Sequence, residues 1–146
     1  MIRHILVVCV GNICRSPMAE ALLKGALRGQ DEITVESAGL GALVGHPASA
    51  YAVELMEEMG EDISGHRARQ IHPDMVAVAD LVLVMEVGHK RAIDDADPTA
   101  RGKVHRLGDW QGKDIDDPYR QPKDAFANAL ADIEIGVASW VEKIKA

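Results

Sequence analysis

A cysteine and an arginine six positions apart follow the first apolar segment of this chain. Residues 5–8 are apolar and lead directly into Cys9, and Arg15 completes the spacing. A cysteine thiolate is a strong nucleophile, while the planar guanidinium of an arginine can donate hydrogen bonds to two oxygens of one phosphate group. Together the two residue types indicate cleavage of a phosphate ester by attack of Cys9 on phosphorus.

The elements on either side of this pair place a loop between a strand and a helix. The apolar run 5–8 predicts a buried strand, and Ser16 followed by Pro17 predicts an N-cap and the first residue of a helix. Gly11 and Asn12 tolerate positive φ, so the loop can turn its backbone N–H groups inward beside the helix N-terminus. Such a loop is expected to bind phosphate oxygens, and its members are Val10, Gly11, Asn12, Ile13, Cys14 and Ser16.

The same arrangement activates the nucleophile. A helix N-terminus and a neighbouring arginine both favour the thiolate form of Cys9, and the hydroxyl of Ser16 can donate a hydrogen bond to the sulfur. Taken one at a time, these residues favour a buried strand cysteine and an ordinary turn. The combination of strand, cysteine, glycine-containing loop, arginine and helix start favours the catalytic interpretation.

A second motif, far downstream, can supply the proton that a leaving group needs. Pro118 restricts the preceding residue, Asp117, to extended backbone geometry, so this carboxyl group is held in a rigid loop. An acid in that position can protonate a departing phenolate and then, as a carboxylate, activate the water that hydrolyses a cysteinyl-phosphate. General acid–base catalysis of this kind contributes about 10²–10⁴-fold to the rate.

These motifs resemble those of the low-molecular-weight protein tyrosine phosphatases, and the similarity in length and motif order extends over essentially the whole chain. The matching segments are Cys-Val-Gly-Asn-Ile-Cys-Arg-Ser-Pro at 9–17 and Asp-Pro-Tyr at 117–119. Residues 35–45 further resemble the bacterial subgroup that partners tyrosine kinases of capsule and exopolysaccharide export. The resemblance implies that Cys9 is the nucleophile, Arg15 the phosphate clamp and Asp117 the general acid. It also implies that the loop is supported by hydrogen bonds from Asn12, Ser16 and Ser37.

The crevice above the loop is expected to select phosphotyrosine. Large side chains around a deep site admit the long phosphotyrosine and keep the shorter phosphoserine away from the nucleophile, and the candidates here are Leu40, Leu43 and Tyr119. Ile13 also favours phosphotyrosine, because relatives that act on phosphoarginine tend to carry threonine at the corresponding loop position. The expected partner is a phosphotyrosine protein, and the subgroup resemblance implies a bacterial tyrosine autokinase.

Two other functions share parts of this pattern. Thioredoxin-coupled arsenate reductases have the same fold and Cys-to-Arg loop, but their mechanism needs further cysteines downstream, and this chain has none beyond Cys14. A non-catalytic phosphate- or phosphopeptide-binding module could use the same loop without Cys9 or Asp117. Cys14 also has two interpretations: a small buried apolar side chain, or a partner in a protective disulfide with Cys9, as adjacent cysteines in the family are thought to form.

Length, composition and charge predict the number of domains, the location and the kinds of partner. The 146 residues suit a single domain, 1–146. The chain has neither a long apolar run typical of a membrane span nor a signal peptide, so no membrane insertion and a cytoplasmic location are expected. The net charge of −7, from 16 basic and 23 acidic residues, argues against a nucleic-acid partner. The six histidines lack the spacing of metal ligands, so no metal and no cofactor are expected.

Alternating strand and helix patterns predict an α/β fold, a single-domain doubly wound sheet of four parallel strands flanked by helices. The phosphate-binding loop follows the first strand, and Cys9 falls at the carboxyl end, where such sheets bind ligands. The long loop 108–123 is expected to turn Asp117 and Tyr119 inward, and residues 66–70 are expected to support loop packing. The later strands are predicted at 33–35, 80–85 and 103–107, and the helices at 17–28, 48–59, 89–94 and 124–145.

Overall fold

The computed structural model describes residues 1–146, in which four strands and five α-helices follow one another along the chain. The strands are β1 (His4–Cys9), β2 (Thr34–Gly39), β3 (Leu81–Val84) and β4 (Val104–Arg106). The helices are α1 (Arg15–Ala26), α2 (Ala50–Glu58), α3 (Pro73–Val78), α4 (Val87–Ala96) and α5 (Lys123–Lys145). Two short 3₁₀ helices cover Pro98–Lys103 and Asp109–Gln111.

The four strands form one parallel sheet in the order β2-β1-β3-β4. β1 is a central strand that pairs with β2 on one side, with Cys9 opposite Gly39, and with β3 on the other side. The chain therefore leaves β1 in one direction to form β2 and later crosses to the opposite side. Parallel sheets bind ligands at such a switch point. The predicted fold is confirmed, and Cys9 is the last residue of β1 at this point.

Both faces of the sheet are covered, as helical crossovers between parallel strands require. Ile5 and Val7 pack into the larger core cluster, together with residues of α1, α2 and α5. Leu6 and Val8 point to the other face and pack into the smaller cluster with residues of α3 and α4. β1 is thus buried on both faces, which explains why its sequence is an uninterrupted apolar run.

The closing helix α5 is the longest element, with 23 residues. Its predicted apolar stripe packs against the larger core cluster and is not a free binding surface. The buried members of this stripe are Phe126, Leu130, Ile133, Val137 and Trp140. No helix of the protein combines the length and the apolar character that crossing a membrane requires.

Helix α1 begins two residues earlier than predicted. Arg15 is its first residue and Cys14 its N-cap, so the prediction of Ser16 as N-cap and Pro17 as first residue is wrong. Pro17 is tolerated in the first turn because the N–H groups of that turn have no helical acceptor. The shift leaves the Ser16 hydroxyl free for other contacts and fixes Arg15 on the helix directly after the loop.

The other predicted elements differ from the structure by one or two residues at their ends, apart from one longer strand and one helix that was not predicted. β2 extends to Gly39, beyond the predicted 33–35, through small and polar residues that carry no strand signal. The short helix α3 was not predicted because its six residues are too few to show a helical period. Its start is nevertheless marked locally, since His72 accepts the backbone N–H of Asp74 and Pro73 is the first helical residue.

Candidate active site

A cavity opens at the carboxyl end of β1, between the loop that follows this strand and the loop that precedes α5. Its volume is about 450 Å³, including the part open to solvent. Its lining includes Cys9, Arg15, Leu43, Asp117 and Tyr119. The fold therefore brings the Cys-to-Arg loop and the Asp-Pro-Tyr motif to one cavity, although they are far apart in the sequence.

The backbone of the first loop turns N–H groups toward this cavity. The carbonyl oxygens of Cys9, Val10 and Gly11 accept hydrogen bonds of 2.9, 3.0 and 3.1 Å from backbone N–H groups of residues 40–43. In a trans peptide the C=O and the N–H that follows it point in opposite directions. Outward carbonyl groups therefore leave the next N–H groups facing inward, which is the geometry of an anion-binding nest.

Asn12 organises the interior of this loop. Its backbone is left-handed, with a φ of 59°, a conformation that asparagine adopts more readily than most residues. Its buried Nδ2 donates to the hydroxyl oxygens of Ser16 at 2.8 Å and Ser37 at 3.0 Å. Ser37 in turn donates to Glu20 at 2.5 Å. The three residues predicted as supports are thus members of one hydrogen-bonded network.

Cys9 lies at the base of the cavity with its sulfur beside Ser16. Its residue exposure is 3 %, and its Sγ is 3.0 Å from the Ser16 Oγ. Because Ser16 Oγ already accepts a hydrogen bond from Asn12, its own hydrogen is free to point at the sulfur. A thiolate at Cys9 would receive a charge-assisted hydrogen bond from this hydroxyl, as the sequence predicts.

The segment 66–70 supports the loop from outside. His66 Nε2 lies 2.6 Å from the carbonyl oxygen of Asn12, and the backbone N–H of Arg69 donates to Asn12 Oδ1 at 3.0 Å. Arg69 Nε also donates to the carbonyl oxygen of Ser37 at 2.8 Å. The predicted contribution of this segment to loop packing is confirmed.

Arg15 is 1 % exposed and is held by the protein at one nitrogen. Its Nη1 donates to Glu86 Oε2 and to the carbonyl oxygen of Ile115, both at 2.6 Å. Its buried Nε donates to no protein group, and its Nη2 has Asp117 Oδ2 at 3.6 Å. The edge formed by Nε and Nη2 can therefore bind two oxygens of a phosphate group in the bidentate geometry that arginine favours.

Asp117 faces Arg15 from the loop before α5. Its Oδ1 accepts the backbone N–H of Tyr119 at 3.0 Å, which orients the carboxyl group, and its Oδ2 is the oxygen near Arg15. The side chain is 42 % exposed, so it can exchange protons with solvent. A carboxyl group oriented through one oxygen and free at the other is suited to general acid–base chemistry.

Cys14 also borders the cavity, but its surroundings differ from those of Cys9. Its Sγ is 3.2 Å from Ser49 Oγ. Burial raises the pKa of Cys14 to about 11, although the hydrogen bond with Ser49 opposes this effect. Cys14 is therefore a neutral thiol near pH 7. Both cysteines are free thiols in this structure, and a disulfide between them stays a prediction.

The predicted crevice residues do not all reach the cavity. Leu43 and Tyr119 line it, but Leu40 does not. Leu40 lies two residues after Ala38, whose side chain enters the smaller core cluster, and it packs against that cluster beside Ile71. The prediction that Leu40 lines the crevice is therefore wrong, because the alternation of side chains along β2 carries Leu40 to the other face of the sheet.

The groups that anchor Arg15 were missed by the sequence reasoning. Glu86 follows β3 almost directly, and Ile115 contributes only a backbone carbonyl. A carboxylate near the carboxyl end of a buried parallel strand is a signal that could have identified Glu86, since β1 and β3 are neighbours. A backbone carbonyl has no sequence signal. Glu20, which accepts the hydrogen bond from Ser37, was also missed, because its position on α1 is typical of a surface carboxylate.

Comparison with known proteins agrees with this geometry. Residues 4–146 match the family described as low molecular weight phosphotyrosine protein phosphatase. The chain is 54 % identical over its whole length to the probable low molecular weight protein-tyrosine-phosphatase EpsP of Ralstonia solanacearum, and it covers 99 % of that relative. Identity is 43 % over the whole chain with the low molecular weight protein-tyrosine-phosphatase Wzb of Escherichia coli K12, 98 % of which is covered. The structure of Vibrio vulnificus Wzb in complex with benzylphosphonate matches with a TM-score of 0.91 and 43 % identity, over 98 % of this chain and 99 % of that one.

A parallel α/β sheet with a Cys-to-Arg loop at its switch point is shared by cysteine-dependent phosphatases and arsenate reductases, and the matches place this chain in the class of phosphatases. Within that class, the chain belongs to the low molecular weight phosphotyrosine protein phosphatase family. It is accordingly a protein-tyrosine-phosphatase, a hydrolase of phosphoric monoesters. These matches favour this function over the arsenate reductase and the non-catalytic binding module.

Proposed function

We propose that this enzyme hydrolyses phosphotyrosine in proteins through a cysteinyl-phosphate, with Cys9 as nucleophile, Arg15 as phosphate-binding residue and Asp117 as general acid. One observation carries the proposal: the buried guanidinium of Arg15 lines the same cavity as Cys9 and Asp117, and its Nε and Nη2 are not hydrogen-bonded to the protein. In this proposal residues 1–146 act as one phosphatase domain.

In the first step, the phosphate oxygens accept hydrogen bonds from the loop 10–14 and from Nε and Nη2 of Arg15. The Cys9 thiolate attacks phosphorus, the bond from phosphorus to the tyrosyl oxygen breaks, and Asp117 donates its proton to that oxygen. In the free enzyme the carboxylate of Asp117 lies near the same Nη2. A bound phosphate group takes over this nitrogen, which leaves Asp117 Oδ2 available to the tyrosyl oxygen.

In the second step, water displaces the Cys9 sulfur from phosphorus. The Asp117 carboxylate removes a proton from a water molecule as the water oxygen attacks, and the bond from phosphorus to Cys9 breaks. The sulfur leaves as a thiolate, which the Ser16 hydroxyl stabilises from 3.0 Å. Inorganic phosphate is released, and both Cys9 and Asp117 return to their starting states.

The walls of the cavity support phosphotyrosine as the substrate. Leu43 and Tyr119 offer apolar and aromatic surface to a phenyl ring above the loop. Ile13 supplies the apolar loop residue that is expected in tyrosine-directed members of the family. The related Vibrio vulnificus protein has been solved with benzylphosphonate, in which a benzyl group carries the phosphonate.

The physiological substrate is inferred from the subgroup resemblance of residues 35–45 and the high identity to bacterial relatives. On this basis the enzyme dephosphorylates a bacterial tyrosine autokinase, or the targets of that kinase, in the control of exopolysaccharide. The reaction takes place in the cytoplasm, where the kinase domain and its phosphotyrosines would be accessible.

The test is hydrolysis of an aryl phosphate and a phosphotyrosine peptide by the wild type and Cys9→Ser without added metal. Phosphoserine and phosphoarginine peptides serve as controls. The expected result is phosphate release from the aryl and tyrosine substrates alone, with loss of turnover in Cys9→Ser. Phosphate binding by Cys9→Ser, measured by calorimetry, is expected to persist because the loop and Arg15 are unchanged.

Two results would contradict the proposal. Turnover of the tyrosine substrates by Cys9→Ser would exclude Cys9 as the nucleophile. Binding of phosphopeptides by the wild type without turnover of any substrate would favour the non-catalytic binding module. A phosphorylated Cys9 peptide, trapped by acid quenching and detected by mass spectrometry, would identify the intermediate directly.

A further inference from the structure

His89 is a buried histidine that takes no part in the mechanism proposed above. It lies in the first turn of α4 and is 7 % exposed. Its Nε2 is 3.6 Å from Oε2 of Glu86, the same oxygen that accepts the 2.6 Å hydrogen bond from Arg15 Nη1. A chain of contacts therefore leads from His89 through Glu86 to the guanidinium beside the nucleophile.

The surroundings of His89 favour its neutral form. Burial lowers the pKa of His89 from its ordinary 6.5, and Glu86 opposes this effect without reversing it. Among the more distant charges, Arg15 lowers the pKa, while Asp114 and Asp117 raise it. The imidazole therefore carries one proton near neutral pH. The ring nitrogen that carries this proton decides whether Glu86 faces a hydrogen-bond donor or an acceptor.

That proton belongs on Nε2, since a neutral imidazole facing a carboxylate is attracted only through its N–H. Nδ1 is then a buried acceptor with no protein partner. Buried acceptors without partners are tolerated more often than buried donors, which agrees with this tautomer. At 3.6 Å the contact of Nε2 with Glu86 Oε2 is longer than an ordinary hydrogen bond. It is therefore a weak electrostatic attraction that does not compete with the 2.6 Å bond between Oε2 and Arg15.

The position of the Glu86 carboxylate depends on a contact such as the one with His89. Its side chain is 36 % exposed, so water can compete with Arg15 for its oxygens. A rotamer that moves Oε2 away would release Nη1 of Arg15 from the carboxylate, leaving this nitrogen with only the Ile115 carbonyl. The free edge of Arg15 would then no longer be fixed toward the phosphate-binding loop.

We propose that His89 is a positioning residue, whose Nε2–H holds Glu86 in the rotamer that orients Arg15 for phosphate binding. This inference rests on the proposed function, in which Arg15 binds the phosphate group. His89 touches neither substrate nor phosphorus, and it acts only through Glu86. Its removal would therefore weaken phosphate binding while Cys9 and Asp117 keep their own contacts.

The test compares His89→Leu, which has similar size but no donor, with His89→Gln, whose amide nitrogen can occupy the position of Nε2. The dissociation constant of inorganic phosphate is measured by calorimetry, and kcat and KM are measured with an aryl phosphate. His89→Leu is expected to weaken phosphate binding about tenfold, which corresponds to about 1.4 kcal/mol, and His89→Gln to restore most of it. Thermal unfolding of both variants checks the fold.

A double-mutant cycle separates positioning from packing. If His89 acts through Glu86, the losses of phosphate affinity in His89→Leu and Glu86→Gln do not add when the two are combined. His105→Leu is the matched control: it removes a partly buried histidine that packs against Trp140, and it is expected to leave phosphate affinity unchanged. If His89→Leu does not fold, His89→Asn replaces it, because the shorter amide cannot reach Glu86.

Unchanged phosphate affinity in folded His89→Leu, additive losses in the cycle, or failure of His89→Gln to recover binding would each overturn the inference. Because the readout is binding of inorganic phosphate, it does not depend on turnover. Failure of the proposed function would instead appear as loss of Cys9-dependent hydrolysis in the wild type, so the two failures are distinguishable.

Discussion

Arg15 divides its donors between the protein and the ligand. One terminal nitrogen is bonded to a carboxylate and a backbone carbonyl, while Nε and Nη2 form the edge that faces the cavity. A lysine could not satisfy both demands, since its ammonium is a single point charge without a rigid fork. At the scale of one residue, the arginine combines a structural anchor with the free donors to which the proposed function assigns phosphate binding.

The carboxyl group of Asp117 yields a test that depends on the leaving group. Asp117→Asn removes the proton donor but preserves the size and the contact with the Tyr119 N–H. We expect kcat to fall by about 10²–10⁴-fold for substrates with poor leaving groups and much less for nitrophenyl phosphate, whose phenolate departs without protonation. The measurement is kcat over a series of aryl phosphates of increasing phenol pKa.

The adjacent residue provides the control for this prediction. Asp116 is exposed and does not line the cavity, so Asp116→Asn is expected to leave the dependence on leaving group unchanged. Equal slowing of every substrate by Asp117→Asn would show that Asp117 acts on binding or structure and not as the acid.

Residue-scale chemistry could be predicted where it follows from local order. Cys9 and Arg15 share one loop, and Pro118 marks the neighbouring acid, so each signal lies within a few positions. Glu86 could not be assigned in this way, because its partner on α1 is 71 residues away. Leu40 was misplaced for a different reason: its large apolar side chain suggested a crevice residue, but the alternation of side chains carries it to the other face of the sheet.

At the scale of elements, the contact between α5 and the segment after β4 limits what the helix can carry. A Cβ on Gly136 would lie 2.7 Å from the carbonyl oxygen of Leu107, which also accepts the indole N–H of Trp140 at 3.1 Å. Gly136→Ala is therefore expected to destabilise the protein by about 1–3 kcal/mol, although alanine favours helices by about 1 kcal/mol. Thermal denaturation would show this as a Tm lower by about 2–12 °C.

Gly88 is the matched control for that substitution. It is also helical, in α4, but no atom lies within 4 Å of where its Cβ would be. Gly88→Ala is expected to leave Tm unchanged or to raise it slightly, because only helix propensity acts there. Equal Tm values for the two variants would mean that α5 can shift away from Leu107 without loss.

Element types could be predicted from apolar runs and helical spacing, whereas their boundaries depended on contacts that the sequence does not show. Helix α1 starts at Arg15 instead of the predicted Pro17, directly after the loop whose backbone N–H groups turn inward. The end of β2 moved to Gly39 because pairing with β1 continues through residues without strand character. Helix α3 was too short for a periodic pattern to reveal it.

At the scale of the whole molecule, the proposed anion site is compatible with a negatively charged protein because its positive groups act locally. The net charge is −7, yet charges on the distant surface are screened beyond a Debye length of about 8 Å. The nest and Arg15 act within a few ångströms of the bound group. Global charge therefore limits which macromolecules approach, while the loop decides which small group binds.

Phosphate is expected to stabilise the whole fold, since the loop and Arg15 form a site only in the folded chain. At a phosphate concentration a hundred times the dissociation constant, the free energy of unfolding should rise by about 2.7 kcal/mol. For a chain of this size that increase raises Tm by roughly 5–11 °C. The measurement is Tm against phosphate concentration at constant ionic strength, with chloride as the control.

The Cys9→Ser variant should show the same increase in Tm, because serine leaves the nest and the guanidinium in place. An increase that chloride reproduces would indicate general screening of the acidic surface and contradict a specific anion site. No increase in either protein would contradict the phosphate-binding geometry of the loop.

The anchoring of Arg15 by Glu86 and Ile115 has a consequence for turnover. Fixing a free arginine side chain costs about 1.5–2 kcal/mol in lost rotamers, and here folding has already met that cost. Substrate and released inorganic phosphate meet the same prepared guanidinium, so the enzyme cannot favour one over the other by rearranging it. With Arg15 as the proposed phosphate-binding residue, inorganic phosphate is expected to compete with the substrate and to slow turnover as its concentration rises.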